Sequence, residues 1–196
     1  MRHLTKKVTT DLIPYSILRI LVLGIFSALS LIFCSTTSAQ CISVVQDEDF
    51  ELQRSGTVST PWIAEGRAGI DIGRRLSYHG SNNAWARNNT GWNAIRQPAR
   101  LTAGVTYTLR AFVRTSGNVT DGYFGFRDAV QHPVSEIKFG SLPAYTQLRV
   151  KFRPNRTGRY NIFTGFWAPG QDAWIQVDNV SVMFPCNDVD ANPGDN

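Results

Sequence analysis

Beyond position 40, apolar and polar residues alternate in short runs, and turn-forming residues separate one run from the next. The clearest run covers residues 107–114, where Tyr107, Leu109, Ala111 and Val113 share one face of an extended strand. Similar runs cover 147–153, 160–167 and 174–182. No segment after position 40 shows the longer period of an amphipathic helix. The pattern therefore predicts an all-β fold, an antiparallel β-sandwich.

The first 39 residues show a different pattern, that of an export signal. A basic stretch with Arg2, Lys6 and Lys7 precedes the apolar run 17–33, and small residues follow up to Ala39. This order predicts a signal peptide over 1–39, and hence a secreted, extracellular protein with no membrane association after cleavage. An uncleaved anchor is the alternative, although the apolar run is near the shortest length that spans a bilayer. The folded domain is then expected at 40–186, with a disordered acidic tail at 187–196.

Removing the signal changes the charge of the chain. The full sequence carries a net charge of +5, and residues 1–39 hold four basic and one acidic residue, so the mature part carries +2. This weakens any case for nucleic-acid binding. The remaining basic residues are fourteen arginines and two lysines, Lys138 and Lys151. Because guanidinium is a planar, bidentate donor, this composition favours carboxylated, sulfated or hydroxyl-rich partners, unless it reflects only a genomic bias towards arginine.

Two cysteines, Cys41 and Cys186, remain at opposite ends of the mature chain. An even pair in an exported protein predicts a disulfide bond. The bridge would close a loop of about 145 residues and stabilise the fold by about 5 kcal/mol on the chain-entropy model. It also predicts that the two ends of the chain are adjacent, as in a sandwich whose first and last strands are neighbours. No second thiol lies near either cysteine in the sequence, which argues against a zinc or redox site.

Three stretches of sequence carry a resemblance to a known family. They are residues 47–51 (DEDFE) with Pro61 and Trp62, residues 92–97 (WNAIRQ) with 101–109 (LTAGVTYTL), and residues 175–182 (IQVDNVSV). In this order they resemble the family 4/9-type carbohydrate-binding modules over about residues 43–183. The resemblance implies a galactose-binding-like jelly roll and a non-catalytic, lectin-like domain whose partner is a polysaccharide or other glycan. The acidic residues at 47–49 depart from the Asn and Gly that the family usually has there.

The same resemblance implies a structural Ca²⁺ ion. In the family, the Glu that ends the first motif and the Asp of the last strand commonly hold calcium where the chain ends meet. The matching residues are Glu51 and Asp178, and Asp47 and Asp49 could add oxygen ligands. The alternative is that these acids cap strands or pair with arginine.

A ligand-binding surface is predicted from strand parity. Phe112, Phe163 and Trp167 fall opposite the aliphatic residues of their own strands, so they are expected on an exterior face. Aromatic rings beside Arg and Asn suit a pyranose, whose C–H face stacks while its hydroxyls form hydrogen bonds. The predicted binding residues are Arg110, Phe112, Arg114, Tyr123, Arg127, Asn161, Phe163 and Trp167, with Tyr123 and Arg127 included if Phe124 and Phe126 point inward. An interface with another protein is the alternative.

Other aromatic residues are less informative at this stage. Trp92 and Arg96 share a face of their strand and form a weaker candidate pair. The sequence does not place Trp62, Trp85 or Trp174.

No catalytic motif is present in the sequence. His79 and His132 fit no metal-ligand spacing or nucleophile motif, and nothing distinguishes one carboxylate pair for glycoside hydrolysis. The sequence therefore predicts a protein that is not an enzyme: a secreted carbohydrate-binding domain, with a preference for acidic or sulfated glycans because of its arginines. A cell-surface or matrix adhesion protein that binds a protein partner is the second hypothesis. A small jelly-roll polysaccharide lyase or glycoside hydrolase is the third.

Overall fold

A computed structural model of the protein describes residues 43–184. This part of the chain forms ten strands, each antiparallel to its neighbours. They are β1 (Ile63–Glu65), β2 (Ala68–Ile72), β3 (Asn82–Asn88), β4 (Trp92–Leu101), β5 (Tyr107–Thr115), β6 (Gly122–Arg127), β7 (Pro133–Phe139), β8 (Thr146–Phe152), β9 (Gly158–Trp167) and β10 (Ala173–Met183). Residues 43–184 include no helix of the length and apolarity that crossing a membrane requires. The predicted all-β class is confirmed.

The strands form two five-stranded sheets that pack face to face. The first sheet has the order β1-β4-β9-β6-β7, and the second has the order β2-β3-β10-β5-β8. Most neighbours within a sheet are distant in the chain, so connections cross from one sheet to the other. This is the arrangement of a jelly roll. The predicted β-sandwich of jelly-roll type is therefore confirmed.

Strand parity decides which side chains fill the space between the sheets. Along β5, buried residues alternate with partly exposed ones from Tyr107 to Thr115. Leu109 of β5 belongs to one core cluster with Ile162 and Phe166 of β9. Phe124 and Phe126 of β6 belong to the same cluster, so they point inward as the sequence prediction required.

The segment 43–62 contains no strand and closes one end of the core. Trp62 is buried, its indole N–H donates to the Asp47 carbonyl at 2.9 Å, and its ring lies 4.9 Å from that of Phe50. The Gln97 side chain fixes the segment to β4, because it accepts from Gln46 N and donates to Gln46 O, both at 2.8 Å. Trp62, which the sequence did not place, is thus a core residue.

The two ends of the described segment meet at β10. The Val182 N–H donates to Ser43 Oγ at 2.9 Å, and the Val180 N–H donates to Glu48 O at 2.8 Å. Cys41 and Cys186 lie outside the described residues, and the disulfide between them stays a prediction. The signal peptide at 1–39 and the tail at 187–196 also lie outside residues 43–184.

Candidate functional site

The predicted binding residues fall on two different sheets. Tyr123 and Arg127 of β6, and Asn161, Phe163 and Trp167 of β9, belong to the first sheet, whereas Arg110, Phe112 and Arg114 of β5 belong to the second. Both groups point away from the core, so they lie on opposite sides of the sandwich. The expectation of one shared face is therefore wrong. Parity separates the inner from the outer face of a strand, but it does not say which sheet the strand joins.

The first-sheet group forms a continuous surface with residues of β1 and β4. The register places Trp92 opposite Trp167 and Arg96 opposite Phe163. Because Ile95 is a core residue, its neighbours on either side point outward with the β9 group. We call this surface the aromatic face, defined by Glu65, Trp92, Arg96, Tyr123, Arg127, Asn161, Phe163 and Trp167.

Trp92 is the centre of the aromatic face. Its ring centroid lies 5.7 Å from that of Trp167, 6.1 Å from that of Phe163 and 6.3 Å from that of Tyr123. Trp167 is 51% exposed, and Trp92 and Tyr123 are partly exposed. The surface therefore presents several aromatic rings to a ligand at mutual distances typical of packed aromatic side chains.

Small residues beneath Trp92 allow it to lie across the sheet. A Cβ atom on Gly165 would stand 2.6 Å from Cζ2 of Trp92 and 2.4 Å from Cβ of Ala94. Real Cβ atoms do not approach other carbons so closely, so the indole occupies space that only glycine leaves open. Gly165 thus allows the Trp92 indole to lie close to the backbone of the sheet.

Glu65 is the shared carboxylate partner of the two arginines of the aromatic face. Its Oε1 accepts from Arg96 Nε at 2.6 Å, its Oε2 accepts from Trp92 Nε1 at 2.8 Å, and Arg127 Nη1 lies 3.7 Å from Oε2. All three charged side chains are largely buried. Sequence reasoning missed Glu65, because β1 is only three residues long and shows no alternation.

Arg127 explains why Phe163 is inaccessible. The Arg127 Cζ lies 3.9 Å from the Phe163 ring centroid and 4.6 Å from that of Trp92. Burial lowers the pKa of Arg127, while Glu65 and then Glu136 act to raise it, and the group stays protonated. Phe163 lies on the outer side of the sheet, as predicted, but it is only 2% exposed. It supports Arg127 and offers no surface for stacking.

Polar groups border the aromatic face and are already paired. The Tyr123 hydroxyl donates to Asp121 Oδ1 at 2.9 Å, and Lys138 Nζ lies 2.5 Å from the same oxygen. The Lys138 hydrogen bond, followed by that of Tyr123, lowers the pKa of Asp121. Asn161 accepts from Arg96 Nη1 at 3.0 Å and donates to a backbone carbonyl, so it positions Arg96. The face is thus well ordered, and each of its three cations has a carboxylate within 4.0 Å.

The second-sheet group has a different environment. The Phe112 ring stacks on Tyr78 with centroids 3.6 Å apart and planes 11° from parallel, so the loop between β2 and β3 covers it. Arg114 donates to Gln176 Oε1 at 2.5 Å and to Leu76 O at 3.2 Å. Arg110 is partly buried, and its Nε has no hydrogen-bond partner among residues 43–184. None of the three contributes to the aromatic face.

Glu51 and Asp178, the predicted calcium ligands, both hold the loop before β3. Glu51 Oε1 accepts from the backbone N–H groups of Ser81 and Asn82 at 2.6 and 2.7 Å. Asp178 Oδ2 accepts from those of Tyr78 and His79 at 2.7 and 2.9 Å, and its Oδ1 accepts from Asn179 at 2.7 Å. The two carboxylates therefore fix residues 78–82 by hydrogen bonds.

As they stand, these residues do not fit a calcium cage. Ca²⁺ needs six to eight oxygen ligands, and both oxygens of Asp178 already accept backbone hydrogen bonds. Residues 43–184 include no group of three or more His, Cys, Asp or Glu arranged to hold a metal ion. Calcium binding stays a prediction from the resemblance alone, and a melting temperature that EDTA lowers would support it.

The environment of Asp178 predicts a pH dependence of stability. Burial raises the pKa of Asp178 to about 6, from an ordinary value of 3.8, although its three backbone donors act to lower it. The folded state therefore holds the proton more tightly than the unfolded chain. The contribution of Asp178 to the free energy of unfolding is present at acid pH and is lost as the pH rises through about 6.

We expect the wild type to lose roughly 2 kcal/mol relative to Asp178→Asn between about pH 4 and about pH 7. Urea unfolding at a series of pH values measures this difference. Glu51→Gln is the matched control, because the amide oxygen still accepts both N–H bonds and the pH dependence should persist. Parallel stability profiles for wild type and Asp178→Asn would contradict the assignment.

Comparison with known proteins adds to this geometry. No family model and no curated protein matches the sequence. Among solved structures, the module TmCBM61 in complex with β-1,4-galactotriose is 15% identical, with a TM-score of 0.54, covering 72% of this chain and 98% of that one. A CBM4 module is 16% identical, with a TM-score of 0.50, covering 63% of this chain and 94% of that one. The chain has the jelly-roll fold of carbohydrate-binding modules.

The same fold also occurs in an enzyme. The Stig cyclase Fisc from Fischerella sp. TAU, solved with an indole derivative, is 12% identical, with a TM-score of 0.58, covering 75% of this chain and 99% of that one. At such identities the likeness concerns the fold alone. The function must therefore be argued from the aromatic face itself.

Proposed function

We propose that the protein is a secreted, non-catalytic carbohydrate-binding domain and that its aromatic face binds an uncharged stretch of a polysaccharide. The observation that carries the proposal is the group formed by Trp92, Trp167 and Tyr123 on the outer face of the first sheet. The relation of the fold to carbohydrate-binding modules supports it. The signal peptide predicted over 1–39 supports secretion.

The chemistry of the aromatic face suits a pyranose ring. The C–H face of the sugar removes apolar surface from water when it stacks on an indole, and Trp167 has half of its surface available. The Tyr123 ring, whose centroid lies 6.3 Å from that of Trp92, adds to the aromatic surface. The carboxylate and ammonium groups of Asp121 and Lys138 stand at its border, where sugar hydroxyls would find donors and acceptors.

The charges of this face favour a neutral ligand. Arg96 and Arg127 share Glu65, and Lys138 pairs with Asp121. An acidic sugar would have to compete with these carboxylates for the same cations. The preference for acidic or sulfated glycans that the arginine count suggested is therefore not assigned to the aromatic face.

Binding without catalysis is supported by the state of Glu65. An acid catalyst must present its carboxyl group to the substrate. Both oxygens of Glu65 are instead engaged by Trp92 and Arg96 beneath the surface. We therefore assign Glu65 a structural role.

Trp167→Ala is expected to weaken binding to a neutral polysaccharide by about tenfold, within the roughly 1–3 kcal/mol that a stacked ring contributes in nucleic-acid sites. Affinity electrophoresis against β-1,4-galactan, xylan and soluble β-glucan, followed by calorimetry with the best ligand, measures the change. Leu52→Ala is the matched control, because Leu52 is also an exposed apolar residue, at 65%, but lies outside the face. It should leave the affinity unchanged.

Two results would count against this proposal. If the wild type binds no polysaccharide of the panel and instead captures a protein partner through Trp167, the protein is an adhesion protein. If new reducing ends or unsaturated products accumulate on incubation, it is a hydrolase or a lyase.

A further inference from the structure

The outer face of the second sheet contains a cleft of about 550 Å³. Two tryptophans, Trp85 of β3 and Trp174 of β10, line it together with four arginines, Arg67, Arg74, Arg87 and Arg114. Its size falls within the roughly 300–1,000 Å³ of small-molecule sites. We call it the second-sheet cleft, and it lies on the side of the sandwich opposite the aromatic face.

The two tryptophans of the cleft lie on adjacent strands of the second sheet. The register pairs Trp85 with Gln176 and Trp174 with Arg87, so the two indoles are diagonal neighbours on adjacent strands. Trp85 lies flat over Gly69 of β2, where a Cβ atom would stand 2.4 Å from its Cζ2. Both indoles are partly exposed. Gly69 thus leaves room for the Trp85 ring, as Gly165 does for the Trp92 ring.

A network of side-chain hydrogen bonds, most of it buried, lies beside the two tryptophans. Arg114 Nε donates to Gln176 Oε1 at 2.5 Å, and Gln176 Nε2 donates to Asp71 Oδ2 at 2.9 Å. Asn83 Nδ2 also donates to Asp71 Oδ2, while the buried Asn83 Oδ1 has no partner among residues 43–184. A hydrogen-bonded network of this kind is well ordered, so it holds Arg114, Gln176 and Asp71 in fixed positions where they line the cleft.

The cations of the cleft are only partly neutralised. Arg87 forms a bidentate pair with Asp172, and Arg74 lies 3.6 Å from Asp71. Within residues 43–184, neither Arg67 nor Arg114 has a carboxylate within 4.0 Å. Arg114 is held in place between Tyr145 and Trp174, with its Cζ 4.9 and 5.9 Å from their rings. The cleft therefore has two arginines without a carboxylate partner among residues 43–184, whereas every cation of the aromatic face has one within 4.0 Å.

We propose that the second-sheet cleft is a separate binding site for an acidic pyranose, one that carries a carboxylate or a sulfate group. The sugar ring stacks on Trp85 and Trp174, and its anionic group pairs with Arg67 and Arg114. Guanidinium groups bind both anions through paired N–H donors, so the two share one recognition chemistry. This inference goes beyond the proposed function, because it concerns a different sheet, different residues and a different class of ligand.

Calorimetry with three probes tests the cleft: an oligogalacturonate for the carboxylate, a heparin-derived oligosaccharide for the sulfate, and β-1,4-galactotriose as the neutral comparison. The wild type is expected to bind at least one acidic probe. Trp174→Ala and Arg67→Gln should each weaken that binding by about tenfold. Raising the salt concentration should weaken it too, while binding at the aromatic face changes little.

Two variants serve as controls. Arg100→Gln removes an exposed arginine from the first sheet and should leave the acidic probe bound. Trp167→Ala should spare the acidic probe while it weakens the neutral ligand. Arg67 is exposed, so Arg67→Gln keeps the test valid even if Trp174→Ala reduces stability.

The outcomes separate this inference from the proposed function. Loss of acidic binding in Trp167→Ala, but not in Trp174→Ala or Arg67→Gln, would place the acidic ligand on the aromatic face and overturn the inference. Failure of both acidic probes to bind the wild type would overturn it as well. Failure of every neutral polysaccharide, with acidic binding intact, would instead overturn the function proposed for the aromatic face.

Discussion

Replacing Glu65 with alanine is expected to lower the free energy of unfolding by about 3 kcal/mol, the lower end of the range for breaking a buried ion pair. The variant leaves the Arg96 and Arg127 guanidinium groups largely buried without their carboxylate, and it removes the acceptor of the Trp92 N–H bond. Desolvated cations without a partner are among the most costly defects in a folded protein. Urea unfolding monitored by tryptophan fluorescence measures the loss.

The chain offers a matched control for this prediction. Asp172 pairs with Arg87 at 2.6 Å, the same distance as Glu65 to Arg96, but the Asp172 side chain is 56% exposed against 21% for Glu65. Asp172→Ala should therefore lower the free energy of unfolding much less than Glu65→Ala does, because solvent screens an exposed pair. Equal losses of unfolding free energy in the two variants would show that burial does not govern the strength of these ion pairs. The structural role assigned to Glu65 would then be wrong.

Leu109→Ala is expected to lower the free energy of unfolding by about 2–5 kcal/mol. Leu109 is fully buried on the inner face of β5, and its loss leaves a cavity that the two sheets cannot close without moving. Trp167→Ala removes a larger side chain, yet it should change the melting temperature little, because half of Trp167 is already in water.

The pair of variants tests the assignment of the two faces. Thermal unfolding of both proteins, with sugar binding measured in parallel, should show opposite patterns. Leu109→Ala should lose stability, and Trp167→Ala should lose affinity. A Trp167→Ala protein that unfolds would mean that the first sheet has its inner and outer faces exchanged.

Much of the fold follows from the sequence pattern. The alternation in β5, β8 and β9 identifies the inner residues of each strand, since backbone geometry turns successive side chains to opposite faces. The adjacency of the chain ends, which the two cysteines predict, agrees with the contact between Ser43 and Val182. The first and last strands, β1 and β10, are not neighbours, because they belong to different sheets. The first of these features depends on local backbone geometry and the second on the number and position of the cysteines, so both can be predicted from the sequence.

The candidate site was only partly predictable. Arg127, Tyr123 and Trp167 were identified by parity, but Phe112 was grouped with them although its strand joins the other sheet. Sheet membership depends on long-range pairing, which the period of a single strand does not encode. Parity also does not reveal what covers an outward side chain. Tyr78 covers Phe112, and Arg127 covers Phe163.

Small residues at positions 94 and 165 determine the shape of the aromatic face as much as its rings do. Ala94 and Gly165 lie opposite each other on β4 and β9, and together they make the hollow into which the Trp92 indole settles. A side chain at position 165 would meet the Asn93 carbonyl oxygen at 2.8 Å as well as the indole, so the close approach of β4 and β9 also requires glycine there. The position of the Trp92 indole, and with it the shape of ligand that the face can accept, therefore depends on a residue that has no side chain of its own.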